Sequence, residues 1–99
     1  NDELKYRAKL TAKLVRDHQE ELSVLFAQDM GKPISEGKAE CVKSAMFCDY
    51  YTENFEKILE QEEIKTEATQ SFVKYEPLGP LYFIMPWNFP IFLPMKAIP

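Results

Sequence analysis

A primary amide sits among prolines and aromatic rings in Met85-Pro86-Trp87-Asn88-Phe89-Pro90, directly after the apolar run Leu81-Tyr82-Phe83-Ile84-Met85. An amide carries two N–H donors and no charge, so Asn88 can donate a hydrogen bond to an oxygen that turns negative as a carbonyl is attacked. One such donor is worth roughly 3 kcal/mol when preorganised in a dry site. A buried strand ending at Met85 puts that amide at the carboxyl edge of a sheet, where ligands bind in open α/β folds. Trp87 beside it can line a cofactor cleft. Asn and Pro at a strand end are also common turn formers, and a Trp there can be core, so spacing alone leaves both readings open.

Other chemistry-capable residues point elsewhere. Cys41 and Cys48 are seven apart in a helical pattern, roughly 10 Å along one face and too far for a disulfide. They read as small apolar core residues of a reducing compartment. His18 is the only histidine, too little for a metal site. The three glycines, at 31, 37 and 79, form no phosphate-binding loop and no dinucleotide fingerprint.

Elements must hold the Asn88 segment in place, and periodicity supplies them. From Asp2 to about Asp17, Leu4, Ala8, Thr11 and Val15 share one side with Leu10 and Leu14 beside them, opposite a basic face: an amphipathic helix. A second helical pattern runs through Leu22, Leu25, Phe26 and Met30, with a break or kink at Asp17-His18. Gly31 suits the left-handed C-terminal cap, and Pro33 suits the first turn of a third helix. That helix is the longest, carrying Cys41, Ala45, Cys48, Thr52, Phe55 and Leu59 at intervals of four and three. Phe47, Met46, Tyr51 and Ile58 widen the stripe, which calls for several neighbours.

After Gln61 the period changes. Residues 63–66 and 71–75 alternate in polarity around a short polar link, predicting an antiparallel hairpin with one wet face. Leu81–Met85 is apolar on both faces, which predicts a strand buried from two sides in a sheet covered by helices. The fold class is therefore α/β: a helical segment over 1–61, a hairpin over 62–76, and over 77–99 the start of a further domain. These elements cannot cover both faces of that strand, so the sequence predicts a truncated piece of a larger protein.

At 99 residues the core is thin. The 45% hydrophobic and 28% charged content excludes disorder. A net charge of -4 offers no footprint for a phosphate backbone, so nucleic acid is not an expected partner. No apolar run reaches the length of a membrane span and no secretory leader is visible, which makes a cytoplasmic protein the expectation.

The succession Met30-Gly31-Lys32-Pro33, Cys48 to Leu59 (CDYYTENFEKIL), Tyr75 to Pro80 (YEPLGP) and Met85 to Pro90 (MPWNFP), in this order and at these spacings, resembles the aldehyde dehydrogenase superfamily. Within it, the chain is similar to the succinate-semialdehyde dehydrogenase branch. The resemblance covers nearly the whole chain, and its most specific motif is Pro86-Trp87-Asn88-Phe89-Pro90. It implies an N-terminal piece of an aldehyde dehydrogenase-like fold, with three helices, a hairpin of the kind used in oligomerisation, and the first strand of a Rossmann-like sheet.

The resemblance further implies the site. Asn88 would help form the oxyanion hole for the intermediate made when a cysteine thiolate attacks an aldehyde, succinate semialdehyde in the branch the chain resembles. Ile84, Met85, Pro86 and Trp87 would contact NAD or NADP. Hydride transfer to the nicotinamide then leaves a thioester that water hydrolyses with a glutamate base. In semialdehyde-specific members a basic residue eight positions after the Asn meets the substrate carboxylate. Lys96 stands there, a point charge where Arg is commoner.

In the family the nucleophilic cysteine and catalytic glutamate lie beyond this stretch, so Cys41, Cys48, Glu53 and Glu76 do not fill those roles and the segment alone is expected to be inactive. The intact parent would act on a small aldehyde as a homo-oligomer. Pro94 and Pro99 fall where the family continues a helix, at about 3 kcal/mol for an interior proline, so the course past Ile91 is expected to depart from the family's. The competing reading is a non-catalytic helical interaction module, in which the two-sided apolar run is a partner-binding edge.

Overall fold

The computed structural model describes residues 2–97. Four helices, α1 (Asp2–Asp17), α2 (Gln19–Met30), α3 (Ile34–Ile58) and α4 (Phe92–Met95), accompany one antiparallel pair, β1 (Glu62–Glu63) and β2 (Phe72–Val73). α1 and α2 form one rod with a kink. Helical hydrogen bonds run through it, from His18 N–H to the Leu14 carbonyl at 3.0 Å and from Leu22 N–H to the His18 carbonyl at 2.9 Å. The kink stands at the Asp17-His18 position that the sequence marks.

Gly31 closes α2 at φ 73°, ψ 19°, donating to the Ala27 carbonyl, in a conformation that a side chain would strain. Pro33, at φ -55° and ψ 139°, is the N-cap of α3, one position earlier than expected from the sequence. This turn sends α3 back along the rod. Lys5–Glu56 at 2.8 Å, Arg16–Asp49 and Lys38–Glu20 at 2.8 Å mark the antiparallel alignment. Such surface pairs contribute little stability each.

Apolar packing holds the helices together. The core comprises Ala12 and Val15 of α1, Phe26 of α2, Cys41, Ala45 and Cys48 of α3, and Met95 of α4, with Leu22 and Ile91 against it. Small residues let the helices approach closely. At Gly37 an added Cβ would lie 3.0 Å from Ser23 Cα and 3.3 Å from the Phe26 ring. The inner stripe of α3 is buried as its periodicity predicts, but Met46, Ile58 and Leu59 are exposed. On α1 the seam is Ala12 and Val15, while Leu4, Leu10 and Leu14 face outward. The α1–α2 rod packs on α3 alone and α3 gains only the short α4 besides, so a narrow seam is covered, and close approach favours small residues within it.

The hairpin forms in the expected place, with Glu62 opposite Val73 and Glu63 opposite Phe72. It is short, and both faces are wet where one was expected to be dry, because among the described residues no other element packs over it. The expected strand Leu81–Met85 is a larger correction. The run has no regular secondary structure, and its residues are exposed, Tyr82 and Ile84 above 80%. A strand buried on two sides needs hydrogen-bonding neighbours and two covering layers. Among the described residues neither exists.

Pro94 is accommodated rather than disruptive. It lies in the first turn of α4, where a missing N–H leaves no helical hydrogen bond unmade. Pro99, the other proline of that expectation, lies outside the described residues. The chain is elongated, 60 × 24 × 21 Å. Its helical hairpin presents the N-terminal half of α3 to the segment that carries Asn88.

Candidate functional site

Two charged side chains organise the Asn88 segment. Lys32, in the turn between α2 and α3, and Glu40, on the buried stripe of α3, form an ion pair of 2.7 Å with side chains only 7% and 2% exposed. The Lys32 ammonium also donates to the Asn88 backbone carbonyl at 3.1 Å and lies 4.2 Å from the Phe89 ring centroid. Glu40 Oε2 accepts from Lys32. Its Oε1 accepts from the backbone N–H groups of Ile91 and Phe92, at 3.0 Å each. Those two donors begin α4, where no helical carbonyl is available to them.

The pair therefore grips the loop on both sides of Pro90. Every buried side-chain nitrogen and oxygen among the described residues has a partner, so the desolvated charges are satisfied by one another and by the backbone. Asn88 is treated differently by the fold. Its carbonyl is held, while its side chain is exposed and makes no hydrogen bond among the described residues. The backbone is held and the amide is left free to donate.

The four residues before it, Ile84, Met85, Pro86 and Trp87, are exposed, Trp87 at 74%. No hydrogen bond engages their backbone among the described residues. Trp87 is thus not a core residue here, although the motif does form turns at Trp87 and Asn88. These exposed apolar side chains and open backbone groups are the ones in this segment that could hold a cofactor.

Lys96 is exposed with its ammonium 4.8 Å from the Phe92 ring centroid, and Lys43 of α3 lies 4.6 Å from the same ring. Lys43 also lines a cleft of about 600 Å³ with Met30, Pro33, Ala39, Asn88 and Phe89. Lys96 donates no hydrogen bond of the grip that Lys32 and Glu40 form.

The cysteines are poor nucleophiles. Cys41 and Cys48 are free and fully buried. Burial raises both thiol pKa values, helped by the negative charge of Glu40 beside Cys41 and of Asp49 beside Cys48. Cys48 Sγ contacts Met95 Sδ at 3.6 Å inside the core. Glu53 is exposed, and Glu76 pairs with Lys74 at 3.6 Å on the surface. Among the described residues no three metal-ligating side chains cluster.

Sequence reasoning missed Lys32, Glu40 and Lys43. A signal existed for Glu40: it shares the buried side of α3 with Gly37, Cys41, Ser44 and Cys48, and a carboxylate on such a stripe needs a partner. Lys32 lies between a helix-ending glycine and a proline, close to where that partner had to come from. Lys43 carries no comparable mark.

Residues 5–99 match the aldehyde dehydrogenase family. The chain belongs to that family. The match crosses Pro94 and continues to residue 99, so the segment past Ile91 follows the family after all, consistent with Met95 in the core and Ile91 packed against it. Over 88 residues this aldehyde dehydrogenase segment is 41% identical to a succinate semialdehyde dehydrogenase [NAD(P)+] of Escherichia coli, covering 88% of this chain and 19% of that protein. A probable succinate-semialdehyde dehydrogenase [NADP(+)] of Synechocystis is 39% identical over 79 residues, covering 80% of this chain and 17% of that one.

The crystal structure of a succinic semialdehyde dehydrogenase from Streptococcus pyogenes, solved with NADP+ as the cofactor, superposes with a TM-score of 0.87 at 25% identity. It covers 97% of this chain and 22% of that one. The aldehyde dehydrogenase segment described here therefore spans about a fifth of the length of the proteins it matches. No helix among the described residues is long and apolar enough to cross a membrane.

Proposed function

We propose that the intact protein carrying this segment oxidises a small aldehyde, succinate semialdehyde first among candidates, to its carboxylic acid with NAD(P)+ in the cytoplasm. The overall change consumes the aldehyde, water and oxidised cofactor and releases the acid, reduced cofactor and a proton. The observation that carries the reading is the state of Asn88. Its carbonyl is tied to a buried ammonium while its side-chain amide is exposed and unengaged.

The amide supplies an uncharged donor for the aldehyde oxygen as that oxygen becomes an alkoxide under nucleophilic attack, and the held backbone means little reorganisation is needed when the charge develops. The nucleophile and the base come from outside this stretch, since Cys41 and Cys48 are buried with raised pKa values. The segment alone is inactive. Ile84, Met85, Pro86 and Trp87 contact the cofactor, with NADP favoured by the names of several relatives and by the cofactor of the Streptococcus pyogenes enzyme. When bound, the nicotinamide accepts the hydride.

In the intact protein Leu81–Met85 forms the first strand of a Rossmann-like sheet, with both apolar faces covered. Lys96 meets the far carboxylate of a semialdehyde. The hairpin, open on both faces and short of partners, joins a second copy of the chain in a homo-oligomer. The direct assay follows reduction of NADP+ and NAD+ by the purified intact protein, with succinate semialdehyde beside an uncharged aldehyde of similar length. Turnover of both, faster with the semialdehyde, is the expected result. Failure to reduce either cofactor with any aldehyde would remove the proposed activity.

A further inference from the structure

We infer that Lys32 and Glu40 are positioning residues for the reaction: a buried ion pair that sets where the Asn88 amide stands by holding the backbone at the Asn88 carbonyl and at the two N–H groups just after Pro90. This rests on the proposed oxyanion role of Asn88. The two residues touch neither the side chain of Asn88 nor any group that would react. Their hydrogen bonds to this segment reach main chain, through Lys32 to the Asn88 carbonyl at 3.1 Å and through Glu40 to the Ile91 and Phe92 N–H groups at 3.0 Å.

Energetics favour a role beyond stability. Replacing a buried ion pair by apolar residues of similar volume is often neutral or stabilising, so its presence is weak evidence of a stability function. What an apolar pair would lack here is geometric. Glu40 uses one oxygen on two consecutive N–H groups and the other on Lys32, which itself reaches the carbonyl three residues before Ile91. The turn from Asn88 to Phe92 is thus fixed by three backbone contacts converging on one charge pair. The Lys32 ammonium over Phe89 adds a fourth constraint at 4.2 Å.

α3 also supplies rigidity beneath the pair, because Glu40 is followed on the helix by Cys41, Ser44 and Ala45, all fully buried. Misplacing a reacting group by about 1 Å from a distant change can lower rate about 100-fold. Loss of the grip should therefore lower kcat while leaving KM for aldehyde and cofactor affinity close to their original values.

The test is a double-mutant cycle in the intact enzyme. Lys32→Met and Asn88→Ala are made singly and together, with kcat, KM, NADP+ affinity and circular dichroism measured on each. Lys32→Met is expected to lower kcat about 10- to 100-fold with KM within about twofold, and to have no further effect once Asn88 is already Ala. Equal losses from Lys32→Met in both backgrounds, or an unchanged kcat, would overturn the positioning role while leaving the oxyanion role standing.

An Asn88→Ala enzyme with wild-type kcat would instead remove the oxyanion reading on which the inference rests. Where Lys32→Met does not accumulate folded, Lys32→Met/Glu40→Gln takes its place. That variant carries no unpaired buried charge and keeps an acceptor for Ile91 and Phe92, and the same loss of kcat is expected of it. Failure of this variant to fold as well would make the pair a folding determinant and overturn the proposal.

Discussion

Glu40 and Lys32 are joined by a 2.7 Å ion pair with little exposure to solvent, and between them they hold the main chain from Asn88 to Phe92. A charge pair in such a place costs desolvation that only mutual contact and further hydrogen bonds offset. Breaking it on one side should therefore be worse than removing it altogether. Glu40→Ala or Lys32→Met in the intact protein is expected to cost about 3–5 kcal/mol, read as a fall in Tm or in the denaturant midpoint. Lys32→Met/Glu40→Gln is expected to cost markedly less than either single change. A double variant as unstable as the sum of the singles would contradict the pairing.

Cys41 and Cys48 should resist thiol reagents in the folded protein and react promptly once it is unfolded, since neither is accessible and both hold their protons more tightly than a free thiol. The same shift fixes the sign of a pH effect. A thiol whose folded pKa is raised binds its proton more firmly folded than unfolded, so this contribution is fully present below the ordinary thiol value of 9.0 and is lost as pH rises past it. Unfolding midpoints followed from neutral pH to above that value should fall. Cys41→Ala/Cys48→Ala should flatten that fall, and an equally steep fall in this variant would assign the effect to other groups.

Lys96 tests the substrate class. Lys96→Met is expected to raise KM for succinate semialdehyde about tenfold, the size of a hydrogen bond to a charged group, and to leave KM for a neutral aldehyde of the same length nearly unchanged. A parallel rise for both substrates would make Lys96 part of the general architecture and leave carboxylate recognition to another residue.

The helical hairpin was legible because its cues are local: the seam periodicity of α3, the kink at His18, and Gly31 with its left-handed turn. Which apolar residues lie in the seam was less so. Leu10 and Leu14 lost their places to Ala12 because close helix approach selects by size, which a hydropathy pattern does not record. Leu81–Met85 reads as a two-sided strand and is exposed, since a strand is made by neighbours that these residues do not supply. At the site, Asn88 was visible by motif, but its supports were not. Lys32 looks like an ordinary surface charge in one dimension, Glu40 stands on the buried side of α3 with no visible partner, and the two become a buried grip only when the turn at Gly31 folds α2 back on α3.

The central claim is that the Asn88 amide stabilises negative charge on the aldehyde oxygen. Its most direct test is kcat of the intact enzyme with succinate semialdehyde, wild type against Asn88→Ala, with folding and cofactor affinity verified as equal. Loss of one oxyanion donor is expected to lower kcat about 100- to 1000-fold with little change in KM. An Asn88→Ala enzyme that turns over at the wild-type rate would contradict it.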